Sequence, residues 1–177
     1  IENDKIVKVL NLSEALEGKY SSNNVALLIE DNTINIDYSI LYKMGYVFFI
    51  FKGIMTQKDS LESIPFLHLL RNNEVVANGD VVKVSKNGHL RNLYRRGANA
   101  NSLFITDRWN HRCVMCSQPP KDIDDSWLID DILRYIPLID DDLDILGITG
   151  GEPTIIGDRL IDIFNACKKY LPNTKIH

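Results

Sequence analysis

Trp109-Asn110-His111-Arg112-Cys113-Val114-Met115-Cys116-Ser117-Gln118-Pro119-Pro120 sets two cysteines in an Asn/Arg/Pro-rich loop directly behind the apolar run Leu103-Phe104-Ile105. A second marked loop, Thr149-Gly150-Gly151-Glu152-Pro153, closes the next apolar run, Leu143 to Ile148. Two functional-looking loops thus end two consecutive strand candidates. In a parallel (βα) barrel all loops behind the strands open on one face, which carries the chemistry, so the two loops are expected to meet.

Outward from these loops the pattern is strand, loop, helix, repeated. The spacing predicts a helix from about Ser126 to Ile136, with Ile129, Ile132, Leu133 and Ile136 as its buried stripe, Asp125 or Ser126 as cap and Pro137 as stop. A second helix is expected over Arg159 to Tyr170, capped by Asp158 and stopped by Pro172. Such alternation argues for a parallel sheet with right-handed crossovers. Cys167 shares the helical spacing of Leu160, Ile163, Phe164 and Leu171, so it reads as a small hydrophobe in a helix core.

Upstream, residues 1 to 97 read as a separate small α+β or mostly β domain. Its strand candidates are Lys5 to Leu10, Val25 to Glu30, Tyr46 to Phe51 and Glu74 to Ala77. Val81 to Ser85 and His89 to Tyr94 flank Lys86-Asn87-Gly88, a strong hairpin signal, because Asn and Gly both tolerate positive φ. His68 and His89 have no partner at ligand spacing and read as ordinary surface or core residues. Tyr94 to Asn101 turns polar and small, as a linker does, with Arg95-Arg96 read as solvated charge rather than as a seat for a carboxylate or phosphate. Residues 98 to 177 then form the second domain. The opening at Ile1 and the close at His177, a few residues into a third strand, read as the limits of a piece of a longer protein.

The chain has 177 residues, 45% of them hydrophobic, which is ordinary globular material. A net charge of −4 and a pI near 5.5 supply no overall basic field, which argues against a nucleic-acid partner. The longest apolar run, Tyr46 to Phe51, is far short of the roughly 20 residues that span a bilayer, so a soluble, cytoplasmic protein with no membrane partner is expected. Three cysteines, two of them close together, fit a reducing compartment and metal binding better than a disulfide framework. The aspartates at 122, 124, 125, 130, 131, 140, 141, 142 and 144 lack the alternation and central glycine of a calcium loop and read as a solvated acidic face.

Together, Cys-Val-Met-Cys-Ser-Gln-Pro-Pro and Gly-Ile-Thr-Gly-Gly-Glu-Pro-Thr resemble the radical S-adenosylmethionine (SAM) superfamily, and in wording the maturases of His-Xaa-Ser repeat peptide systems. The resemblance covers about residues 80 to 177 and implies an α/β fold, the first part of an incomplete parallel (βα) barrel. It implies a four-iron four-sulfur cluster held by Cys113 and Cys116, and SAM held by Gly150, Gly151, Glu152 and Pro153, with Met115 near the adenine. In that superfamily three cysteines hold three irons and the fourth iron chelates SAM, whose reductive cleavage gives a deoxyadenosyl radical that takes hydrogen from substrate. Here the substrate would be a ribosomally made peptide, with companion maturation proteins as further partners.

The departure is at Trp109, which stands where the superfamily's C-x3-C-x2-C pattern has its first cysteine. Indole offers one N–H donor and no lone pair for iron, so an inactive chain is expected. Two rival readings remain. One is a non-catalytic peptide-binding pseudoenzyme, and the other a structural zinc site using His111, Cys113 and Cys116, which lacks the usual fourth ligand.

Overall fold

The computed structural model describes residues 3–30, 36–53, 64–69, 75–111, 113, 121 and 123–177. The chain divides into two compact units, Ile1–Arg96 and Gly97–His177, and the division falls inside the polar stretch that opens at Tyr94.

In the first unit the apolar runs form strands because their side chains are buried on both faces, the habit of parallel strands. β1 (Lys5–Leu10), β2 (Val25–Ile29), β3 (Phe48–Lys52) and β4 (Phe66–Leu69) pair in parallel. β5 (Val81–Val84) and β6 (Leu90–Tyr94) add antiparallel, giving the order β4-β3-β2-β1-β5-β6. The first two parallel connections carry α1 (Leu12–Leu16) and α2 (Tyr38–Lys43). Asn11 accepts the Glu14 N–H and Asp37 the Ser39 N–H, so each short helix starts on a side-chain cap.

Strand alternation sends the buried residues into two cores. Leu10, Leu27, Ile29, Phe49 and Phe51 pack with Ala15 of α1 and with Tyr38 and Leu41 of α2. Tyr38 meets Phe49 and Phe51 edge-on, with ring centroids 5.7 and 5.4 Å apart. On the opposite face Val7, Val9, Ala26, Leu28, Phe48, Ile50, Val82 and Val84 form the second core. Leu67 and Leu69 of one edge strand and Leu90 of the other pack against it, so the mixed sheet curls into a half-barrel. Phe49→Ala is expected to cost about 3–5 kcal/mol, read from urea unfolding; a loss under about 1 kcal/mol would mean that the ring is not part of a close-packed core.

The first unit departs in detail from expectation at four points. The strand expected over Glu74 to Ala77 is absent in its described part, residues 75–77, which form a turn leading to the bond from Gly79 N–H to Val9 O. β4 was not anticipated, because its four residues carry His68 amid a short run and its burial is only partial; the His68 ring nitrogen lies 2.6 Å from the Gly53 carbonyl oxygen. The hairpin forms, but only Gly88 has positive φ (+80°), and Gly88 N–H donates to Ser85 O. Asn87 stays in ordinary backbone space, as in a type I turn followed by one left-handed glycine. Finally, Arg96 is exposed, as expected of a linker charge, but it is paired. Its Nη1 meets Glu14 Oε2 at 2.8 Å, its N–H donates to Asp80, and its side chain lies across the bare face of Gly79, while Arg95 donates to Val75 O.

Candidate functional site

The second unit is a small parallel sheet in the order β7-β8-β9, with β7 at Asn101–Phe104, β8 at Ile145–Thr149 and β9 at Lys175–Ile176. The chain runs from β7 through α3 (Trp127–Tyr135) and a 3₁₀ turn (Ile136–Leu138) to β8, then through a 3₁₀ turn (Pro153–Ile156) and α4 (Arg159–Tyr170) to β9. α3 and α4 pack together. Leu103, Ile105, Leu146, Ile129, Ile132, Ile163 and Cys167 are buried. Burial raises the Cys167 thiol above its ordinary value, so it stays protonated at neutral pH.

The helix expectations need three adjustments. Neither Asp125, Ser126 nor Asp158 caps a helix through its side chain; Asp124 accepts the Ser126 N–H at 3.1 Å. Leu133 is half-buried, and Leu128 and Tyr135 complete the stripe instead. Phe164 is 44% exposed, because the buried line of α4 narrows to Ile163 and Cys167.

Because β7 and β8 are parallel, the loops behind them leave from the same end of the sheet. Their backbones are joined there. Past the strands the ladder continues from Ile105 N–H to Thr149 O (3.0 Å), Gly151 N–H to Thr106 O (2.7 Å) and Glu152 N–H to Arg108 O (2.9 Å). The two glycines permit this approach. A Cβ on Gly150 would lie 2.4 Å from Thr106 O and one on Gly151 only 1.9 Å from Arg108 O, and Gly150 also has φ +132°. What these glycines approach is therefore the backbone of the neighbouring loop.

The next layer of the site was not legible in the sequence. Asp125, 1% exposed, accepts the Thr106 hydroxyl at 2.8 Å and the Asp107 N–H at 2.6 Å, and forms an ion pair with Arg108 Nε at 3.0 Å. Burial pushes the Asp125 carboxyl up, but the Asp107 amide, the Thr106 hydroxyl and the Arg108 guanidinium outweigh it and hold the group below its ordinary value of 3.8. Asp125, Asp131 and Asp140 are all buried, which corrects the reading of the aspartates as one solvated face. Nothing in the spacing signals Asp125, since its partner Thr106 lies 19 residues away and on another element.

A carboxylate with a lowered value stabilises the fold above its unfolded pKa and loses that contribution as pH falls through its folded pKa. Stability measured by urea unfolding should thus be level from pH 7 to about 5 and fall below pH 3.8 as Asp125 takes its proton, with the curve flattened in Asp125→Asn. An identical acid limb in both proteins would remove Asp125 from the account.

The neck of the cysteine loop is closed by a bridge between Arg108 and Lys121 and by the ion pair of Lys121 Nζ with Asp107 Oδ1 at 3.1 Å. Trp109 is half-buried, whereas His111 and Cys113 are exposed, and the His111 ring bonds to the Asn110 side chain. Met115 and Cys116 lie outside the described residues. Across the rim, Glu152 Oε1 accepts the Thr154 N–H (3.1 Å) and hydroxyl (2.7 Å), starting the turn at Pro153. The Thr154 hydroxyl, then its amide, lower the Glu152 carboxyl against a small opposing effect of burial, and the neighbouring His111 adds to the lowering. Glu152 is thus an anion at neutral pH, within electrostatic reach of the cysteine loop.

Among the described residues no group of three or more His, Cys, Asp or Glu side chains converges as a metal site, and no helix is long and apolar enough to cross a membrane. No family model, curated protein or solved structure matches the chain.

Proposed function

We propose that the chain is built on the radical SAM plan and belongs with the maturases of His-Xaa-Ser repeat peptides, its second unit supplying the opening βα units of the barrel. The single observation that carries the reading is the rim: a C-x2-C loop and a Gly-Gly-Glu-Pro turn leave the same end of adjacent parallel strands and are joined by the Thr106 and Arg108 carbonyls. The ionised Glu152 carboxylate and the carbonyls of its turn are acceptors of the kind that the ammonium of SAM requires. On this reading Met115 would lie by the adenine, a ribosomal peptide would be the substrate, and a reducing, cytoplasmic setting would keep the thiols free.

The cluster is a different matter. With Trp109 at the first ligand position, the donor set is Cys113 and Cys116, which does not fit a cluster that needs three thiolates. No reaction step is therefore derived through a cluster in this chain. That donor set favours the second reading, a pseudoenzyme that keeps the rim and binds peptide without chemistry.

Uptake of labelled SAM in equilibrium dialysis tests the proposal, using the chain as it stands and the Trp109→Cys chain after anaerobic treatment with iron and sulfide. Binding is expected in both, tighter in the second. If neither chain takes up SAM, the radical SAM reading fails.

A further inference from the structure

We infer that Asp125 is the positioning residue of the rim: its buried carboxylate holds the Thr106-Asp107-Arg108 turn at the spacing from which two carbonyls fasten the Gly151-Glu152 turn. The chain of contacts is continuous. Asp125 Oδ2 accepts the Thr106 hydroxyl and the Asp107 N–H, Oδ1 is ion-paired with the Arg108 guanidinium, and the Thr106 hydroxyl in turn accepts the Arg108 N–H at 3.1 Å. With that turn held, the Thr106 and Arg108 carbonyls accept Gly151 N–H and Glu152 N–H. One group standing before α3 thereby sets the relation between the loop behind β7 and the turn behind β8.

The task needs a carboxylate. Two donors meet Oδ2 and the Arg108 cation faces Oδ1; an ionised carboxylate answers both sides, whereas an amide would turn its NH2 either against the two donors or against the cation. Its bland role as a helix cap is not filled, since its side chain does not cap α3. For SAM the consequence rests on the proposed function: loosening this turn displaces Glu152 and the backbone around it.

The experiment follows amide hydrogen exchange in the full chain, with SAM dialysis in parallel. Asp125→Asn is expected to speed exchange at Gly151 and Glu152 by about tenfold or more relative to Ile148 in β8, and to weaken SAM binding by a similar factor. Ile163→Val, a destabilising change in the core of α4, should leave SAM binding unchanged. Exchange at Gly151 and Glu152 that moves only in step with Ile148 overturns the inference. Should Asp125→Asn not fold, Thr106→Val decides: it removes the hydroxyl at nearly constant volume, and unaltered relative exchange at Gly151 overturns the inference equally. A chain that binds no SAM at all counts against the proposed function, while the exchange data still judge Asp125.

Discussion

Anaerobic reconstitution of Trp109→Cys is expected to raise iron and sulfide towards about four of each per chain, the content of a cubane cluster, while the unmodified chain stays near zero. The expectation follows from the donor count. Indole cannot ligate iron, and Cys167, the remaining thiol, is buried in α4 and held protonated. The substitution should leave the neck of the loop intact, because what anchors it is backbone and neighbouring side chains: the Arg108 carbonyl under Glu152 N–H, the Arg108 to Lys121 bridge and the Lys121 to Asp107 ion pair. Cys113→Ser in the Trp109→Cys background should abolish the gain, and Cys167→Ser should not. A full four-iron cluster in the unmodified chain would refute the claim that Trp109 removes a ligand, and His111 or an external thiol would then be the group to examine.

Gly151→Ala is expected to be the most damaging small substitution in the second unit, at about 3–5 kcal/mol. The new Cβ would sit 1.9 Å from the Arg108 carbonyl oxygen and 2.7 Å from its carbon. These are backbone atoms, which cannot swing aside as a side chain does, so the two loops must separate. Overpacking of this kind costs about 1–3 kcal/mol, and parting the loops also gives up the bonds from Gly151 N–H and Glu152 N–H, at about 1 kcal/mol each. Gly97→Ala is the control: no atom lies within 4 Å of its added Cβ, and a change within about 0.5 kcal/mol is expected. Urea unfolding of both variants checks this, and a Gly151→Ala cost no larger than that of Gly97→Ala would mean that the loops do not depend on their close approach.

Much of the second unit was legible because its signals are local. The limits Arg159 and Tyr170 of α4 follow from helical spacing bounded by Asp158 and Pro172, and the burial of Cys167 follows from its place in that stripe. The parallel pairing of β7 with β8 follows from alternation of strands and helices, which leaves few ways to return the chain. In the first unit the strands β1, β2 and β3 were visible as apolar runs, whereas β4 was not, since one exposed and three half-buried residues carry too little pattern.

What the sequence determined by itself is therefore the set of elements and the two loops that end β7 and β8, for periodicity and turn residues act within a few positions of one another. The tertiary structure alone decided what those loops do to each other. That Gly150 and Gly151 lie against Thr106 and Arg108, that Asp125 is buried under the same turn, and that Arg96 pairs with Glu14 all depend on residues far apart in the chain. A carboxylate's surroundings are set by which segments the sheet brings beside it, and the same aspartate before a helix is a solvated cap in one arrangement and a buried anchor in another.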